Sequence, residues 1–300
     1  MKKLCSSTKL KEGDAVALIA PASWADQSWV DTNVAQLESW GLRVQVGKHV
    51  GERLGFLAGR DEDRASDVNA ALADPAVRAV VALLGGCGSM RLLRSLDLDV
   101  LQCDPKPLIG FSDITALHRL WHTAGIASLH GCIDGAHADD VRDQLFGYQP
   151  PAVCQEKGSF TASLTTTGAA TGPLIGGNLE MLARSVGVVE LDLRGCVLLL
   201  EANRAAGLGM VDRALTQLIL SGALDQITGI ALGRFDGFDE HQDRGWTVLD
   251  VLHDRLDTLG VPILAGLPLG HGPYPRTVPL GTTCQLDADA GTLTCEPALH

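Results

Sequence analysis

Several features that announce a function are missing from this 300-residue chain. No stretch approaches the roughly 18 consecutive apolar residues of a membrane span. The eight cysteines (Cys5, Cys87, Cys103, Cys132, Cys154, Cys196, Cys284 and Cys295) contain no Cys-x-x-Cys pair, so neither a zinc knuckle nor a thioredoxin-type motif is offered. Positive charge is scarce. With 24 Lys and Arg against 36 Asp and Glu the net charge is −12, which argues against a nucleic-acid backbone or an anionic membrane surface as partner. There is no internal repeat and no block of like charge. The start, Met1-Lys2-Lys3-Leu4-Cys5-Ser6-Ser7, is basic, but Lys9, Lys11 and Glu12 follow in place of an apolar stretch. That is not a secretory signal, and the expected location is the cytoplasm. The cysteines are then expected reduced and mostly buried.

What is present is an ordinary globular composition, 46% hydrophobic and 20% charged, long enough for one large domain or two smaller ones. The first half alternates short apolar runs with helical patterns. Strands are expected at 15–20, 43–46, 79–84 and 107–109, and helices at 30–40, 61–73, 90–95 and 114–122. This alternation predicts a parallel, doubly wound sheet whose functional loops lie at the carboxyl ends of the strands. The texture changes over 151–171, which holds Pro151 and a stretch rich in Ser, Thr, Ala and Gly, and reads as a linker. Beyond it, strands at 196–200, 227–232, 284–286 and 292–295 mix with helices at 178–186 and 211–220. The expected organisation is a Rossmann-like domain over 1–150, a linker over 151–171, and a smaller mixed α/β domain over 172–300.

The residues with chemical promise sit where apolar runs end. Gly110-Phe111-Ser112-Asp113 follows Pro107-Leu108-Ile109, so Ser112 stands on a strand-to-helix turn beside free backbone N–H groups. That suits a nucleophile, and it equally suits a helix cap. The run Val197 to Leu200 leads into Glu201, either a functional carboxylate or a solvated strand end. His271 lies between Gly270 and Gly272 in a proline-rich loop, where a close approach is sterically open. Gly85-Gly86-Cys87-Gly88-Ser89 lacks the P-loop Lys-Ser/Thr and the G-x-G-x-x-G spacing. It can present Cys87 as a nucleophile, lend backbone N–H groups to an oxyanion, or be a plain glycine turn. His118 and His122 are four apart on one helix face, but Arg119 stands where a zincin needs glutamate, so packed histidines are expected there rather than a metal site.

Taken together these pieces resemble the serine LD-carboxypeptidases (muramoyltetrapeptide carboxypeptidases), a family that also holds the microcin C immunity peptidases. The likeness runs from Gly13-Asp14 to Gly281. It rests on Ala20-Pro21-Ala22-Ser23, on Ala58-Gly59-Arg60-Asp61-Glu62-Asp63-Arg64, on the Gly85-Gly86-x-Gly88 loop, and on Pro105-Lys106 with Gly110 to His118. Gly176-Gly177-Asn178-Leu179, Leu200-Glu201, Asp212-Arg213, Gly270-His271 and Pro279-Leu280-Gly281 complete it. The resemblance implies Ser112 as nucleophile, His271 as general base and Glu201 as the carboxylate that orients it. It implies an oxyanion hole from the backbone N–H groups of Gly86 and Asp113, no metal and no cofactor. It further implies a Rossmann-like N-terminal domain, a C-terminal domain carrying Glu201 and His271, a site in the cleft between them, and a homodimer. The expected activity is release of the terminal D-alanine of a murein tetrapeptide, acting on a small peptide or muropeptide.

Some positions depart from the pattern. Leu84 and Cys87 flank the double glycine where arginine and tyrosine are common, Ala202 replaces an acidic residue after Glu201, and Cys132 replaces a proline. These departures are expected near the substrate and bear on its identity. Two other functions remain open on the sequence: hydrolysis of a peptidyl- or aminoacyl-nucleotide, as in the immunity peptidases, and a non-catalytic ligand-binding protein.

Overall fold

A computed structural model describes residues 7–150, 152–189 and 191–300. The expectations for residues 1–6, Cys5 among them, and for Pro151 lie outside the described residues. By its contacts the chain divides into two compact units. The first is Met1–Gln149 with Pro279–Gly281 and Pro297–His300, the second Pro150–Val278 with Thr282–Glu296.

The first unit follows the alternation of its sequence. In chain order it comprises β1 (Ala15–Ile19), α1 (Gln27–Ser39), β2 (Arg43–Val46), α2 (Asp61–Ala73), β3 (Val77–Ala82), α3 (Leu98–Cys103), β4 (Leu108–Gly110), α4 (Thr115–Ala124), β5 (Ser128–His130) and α5 (Ala138–Leu145). The strands lie in the order β2-β1-β3-β4-β5, paired in parallel, with β11 (Val278–Leu280) beyond β5. Every residue of β1 and β4 is buried, as befits strands covered on both faces. Strand order reverses between β1 and β3, the switch point where doubly wound sheets open a crevice at their carboxyl ends. There β1 runs into Pro21-Ala22-Ser23 and β3 into Gly85-Gly86, while β4, the next strand, runs into Ser112. The helix expected at 90–95 is only a 3-10 turn, Ser89–Leu92. α3, β5 and α5 were not anticipated; β5 has three residues, too few to show a period.

The second unit builds one mixed sheet in the order β10-β9-β8-β7-β12-β13-β6. Its members are β6 (Val153–Cys154), β7 (Ala169–Asn178), α6 (Leu179–Arg184), β8 (Val197–Asn203), α7 (Leu208–Leu220), β9 (Gly229–Asp236), α8 (Val248–Leu256), β10 (Ile263–Leu264), β12 (Thr283–Asp287) and β13 (Thr292–Cys295). β7 to β10 pair in parallel, whereas β12, β13 and β6 pair antiparallel. Leu198, Leu200, Phe235 and Val251 belong to its apolar core.

Two expectations need correction here. The described part of the expected linker, residues 152–171, is not free but contributes β6, a 3-10 turn at Phe160–Leu164 and the start of β7. Their polar side chains are spent internally: Gln155 Nε2 donates to the Ala265 carbonyl at 3.0 Å, and the Thr165 hydroxyl receives the Ala265 N–H at 3.0 Å. Nor does the second unit keep the whole C-terminus, because the His300 N–H donates to the Ser7 carbonyl at 3.1 Å in the first. The cysteines are also less buried than expected. All seven described ones are free thiols, and Cys87, Cys103 and Cys154 are exposed. Among the described residues no helix is long and apolar enough to cross a membrane.

Lys106 shows how β4, the strand that leads to Ser112, is anchored. Its ammonium has no exposed surface. It donates to the Leu72 carbonyl in the last turn of α2 and pairs with Asp104 at 2.9 Å, a cation at a helix C-terminus. The Lys106 carbonyl in turn receives Trp121 Nε1–H at 2.7 Å from α4. Lys106→Met leaves the Leu72 carbonyl without its charged donor, so urea denaturation should show a loss of about 2–3 kcal/mol. A change below 0.5 kcal/mol would mean that the anchor contributes nothing.

Candidate active site

Ser112 adopts φ 61°, one of three non-glycine residues with a positive φ among the described residues. A side chain in this left-handed region costs roughly 1–2 kcal/mol, and such strain at the end of a strand is how a hydroxyl is thrust out of a sheet. The turn is braced from several sides. The Ile114 N–H donates to the Phe111 carbonyl at 3.1 Å, and Asp113 is buried, its carboxylate taking the Ser89 N–H at 2.8 Å. The Ser89 hydroxyl returns a bond to the Asp113 carbonyl at 2.7 Å. Thus the glycine loop and the serine turn are cross-linked. A Cβ added at Gly85 would stand 3.0 Å from Ser112 Cβ and 3.4 Å from Asp113 N, so the two segments lie in close contact.

Behind the turn, His118 is fully buried. It donates Nε2–H to the Gly110 carbonyl at 2.8 Å and its Nδ1 accepts from the Ser128 hydroxyl at 2.8 Å. Burial first, and then the neighbouring His130, pull its pKa down to about 3, against a smaller opposing effect of the Gly110 bond. His118 is therefore a neutral structural histidine. Among the described residues no group of three or more His, Cys, Asp or Glu is arranged to hold a metal ion.

In the second unit Glu201 and His271 meet. The sequence left open that Glu201 was a solvated strand-end residue; it is instead inside β8 with no exposed surface. His271 Nδ1–H donates to Glu201 Oε2 at 2.6 Å, the His271 backbone N–H donates to the same oxygen at 3.1 Å, and Asn178 Nδ2 donates to Oε1 at 3.2 Å. With Nδ1 carrying the proton, Nε2 is left as the acceptor, the form a general base needs. The sheet is shaped to allow this. Between Leu200 and Ala202 the register against β9 slips, Glu201 on β8 opposing two residues, Gly233 and Arg234, on β9. Gly270 sits at φ 86°, and a Cβ there would collide with the Glu201 side chain.

The sequence reading missed residues that hold this loop. Arg234 donates from Nη2 to both Glu156 oxygens at 3.0 Å and from Nη1 to the Pro273 carbonyl, two residues past His271. No sequence signal pairs positions 78 apart. One departure is also relocated. Ala202 packs in the apolar core with Leu200 and Phe235, so it faces no substrate. Cys132 donates weakly to the Asp134 carbonyl at 3.7 Å, and burial, helped by Asp134, pushes its thiol up to about 12. Leu84 is half-buried and Cys87 exposed.

Ser112, Asp113 and Gly86 are thus assembled in one unit, and Glu201 with His271 in the other. Residues 16–131 match the family described as the LD-carboxypeptidase N-terminal domain, and residues 171–286 match the LD-carboxypeptidase C-terminal domain. A putative carboxypeptidase of Streptomyces coelicolor is 36% identical over 315 residues, covering 100% of this chain and 99% of that protein. The chain belongs to the LD-carboxypeptidase family. Membership places it among serine-type hydrolases. The murein tetrapeptide carboxypeptidase of Pseudomonas aeruginosa is 31% identical over 297 residues, covering 91% of this chain and 93% of that protein. The crystal structure of an MccF-like protein from Bacillus anthracis matches with a TM-score of 0.84 over 97% of this chain and 99% of that one, at 23% identity, which shows a shared fold.

Burial alone would lower the pKa of His271 in this LD-carboxypeptidase, but the hydrogen bond and charge of Glu201, with Asp236, outweigh it and hold the value above the usual histidine range. Because the folded value is raised, the stabilisation is full below the unfolded value of about 6.5 and is lost as pH rises through the folded one. In an NMR titration the His271 ring should titrate above pH 6.5, and Glu201→Gln should bring the midpoint down. An unchanged midpoint would remove Glu201 as its partner. Strain at Ser112 has its own readout. Ser112→Gly should be more stable than Ser112→Ala by about 1 kcal/mol, since only glycine is relaxed at φ 61°. Equal melting temperatures would show an unstrained turn.

Proposed function

We propose that this chain is a serine carboxypeptidase that cleaves the L,D-peptide bond releasing the terminal D-alanine of a murein tetrapeptide. The observation that carries the reading is Ser112 held in a left-handed conformation at the end of β4, against the glycine loop. The His271–Glu201 pair supplies the base, and the name of the Pseudomonas aeruginosa relative supplies the substrate class.

The chemistry requires the serine of one unit and the histidine of the other to act on a single carbonyl. His271 Nε2 takes the Ser112 Oγ proton as the oxygen attacks the carbonyl preceding D-alanine. The tetrahedral oxyanion is held by the N–H groups of Gly86 and Asp113. His271 then protonates the departing amine, D-alanine leaves, and an acyl ester remains on Ser112. Water, deprotonated by His271, attacks that ester and frees the tripeptide acid and the serine. Glu201 keeps the imidazole in the productive tautomer and stays ionised. We place the enzyme in the cytoplasm as a homodimer, in line with its net charge of −12 and its resemblance to relatives.

A second reading, hydrolysis of an aminoacyl-nucleotide, rests on Leu84, which takes away the positive charge common before the double glycine and so bears on which substrate is bound. A mass-spectrometric screen of L,D-linked muropeptides against aminoacyl-sulfamoyl adenylates decides between them. D-Alanine release from the tetrapeptide is expected. Cleavage confined to the nucleotides would establish the second reading. Ser112→Ala should abolish turnover, Cys87→Ala should keep the bulk of it, and Glu201→Gln should fold normally yet lose about 10⁴ in kcat. An active Ser112→Ala beside a dead Cys87→Ala would overturn the assignment of the nucleophile.

A further inference from the structure

The polar groups around the glycine loop are engaged unequally. Cys87 N–H donates to Ser23 Oγ at 3.1 Å. The Gly85 carbonyl receives the Ser23 N–H at 3.1 Å, so one residue grips the loop on both sides of Gly86. Among the described residues no acceptor takes the Gly86 N–H. Gly86 itself sits at φ 94°, and a Cβ there would strike the Ser23 hydroxyl. Ser23 is in turn held in place. Arg64, fully buried on α2, donates Nη1 to the Gly88 carbonyl at 3.1 Å and to the Pro21 carbonyl, tying the far end of the loop to the segment that carries Ser23. Its Nη2 pairs with Asp61 at 2.6 Å.

Two successive amides, those of Gly86 and Cys87, are candidates to face a developing oxyanion beside the Ser112 turn. Rotating the peptide between them would pull the Cys87 N–H off Ser23 and swing the Gly86 carbonyl into its place, which re-aims the backbone that carries the Gly86 N–H. A donor acts on a transition state only if it is already aimed there, because the interaction decays over about 1 Å of misplacement. Ser23 consumes one of the two candidates and leaves the other.

We propose that Ser23 is a positioning residue of the oxyanion hole: by accepting the Cys87 N–H it holds the glycine loop in the conformation in which Gly86 offers its N–H. Arg64 secures the same arrangement from the opposite end. This rests on the serine mechanism proposed above and assigns a task to a side chain that touches no reacting atom.

The test pairs steady-state kinetics with labelling by a fluorophosphonate, in which the Ser112 Oγ–P bond forms and fluoride leaves through the same oxyanion geometry. Losing a whole oxyanion donor costs about 10²–10³ in kcat, so a donor misaimed but present should cost about 10–100-fold. Ser23→Ala is expected to lower both kcat and the labelling rate by that factor while KM and the melting temperature stay nearly unchanged. Ser23→Thr, which keeps the acceptor oxygen, should restore both to within about fivefold. If Ser23→Ala does not fold, Ser23→Cys, nearly isosteric and a poorer acceptor, carries the same expectation. Labelling of the folded Ser23 variant within twofold of wild type, or a rise in KM with kcat intact, would overturn the role of Ser23 alone. A wild-type protein that takes no label at Ser112 would overturn the serine mechanism and this inference with it.

Discussion

A carboxylate with no exposed surface stands in the seven-stranded sheet, and much of the second unit is arranged around that one charge. A buried ionised group without partners is costly, so its hydrogen bonds have to be complete. Glu201 accepts from the ring and backbone N–H of His271 and from Asn178. To let the His271 loop approach this closely, β9 carries an extra residue and position 270 carries no side chain. The same bond that satisfies the carboxylate also selects the histidine tautomer. Here stability and chemistry are one interaction.

The first unit meets the opposite problem, which is to hold a side chain in a conformation it disfavours. Ser112 is kept left-handed by bonds on both sides. Ser89 and Asp113 grip each other, His118 and the Gly131 N–H both hold the Gly110 carbonyl, and Lys106 fixes the strand's start to α2. All of these are buried or nearly so, which makes the frame around Ser112 stiff. The strand order places the serine turn, the glycine loop and the Pro21-Ala22-Ser23 segment at adjacent carboxyl ends, next to the switch point. Short connections then suffice to cross-brace them.

Much of this frame was legible in residue patterns. The period of α2 and the all-apolar β1 and β4 are carried by local sequence, and each stands where expected to within two residues. Ser112 stood out because a strand end, a small polar residue and a helical pattern coincide there. Three kinds of feature escaped. β5, β10 and β11 have two or three residues each, too few for any period to register. The Ser- and Thr-rich residues 151–171 looked like a linker because composition reports polarity but not whether hydrogen bonds inside the fold will use it. Ala202 looked like a cleft residue by its neighbour Glu201, yet in a strand adjacent side chains face opposite sides, and it joined the core.

The sequence by itself determined the alternating order of elements and the family, and it singled out Ser112, Glu201 and His271 as candidates, because these depend on local periodicity and on motifs a few residues long. Tertiary structure alone decided that Glu201 is buried rather than solvated, that Nδ1 of His271 is the protonated nitrogen, and that Ser23, Arg64 and Arg234 grip the loops beside them. These facts rest on contacts between positions tens of residues apart, such as Arg234 with Glu156 and Ser23 with Cys87. Such pairs leave no local trace, since each residue alone is an ordinary polar side chain and only the packing of strands and loops brings donor to acceptor.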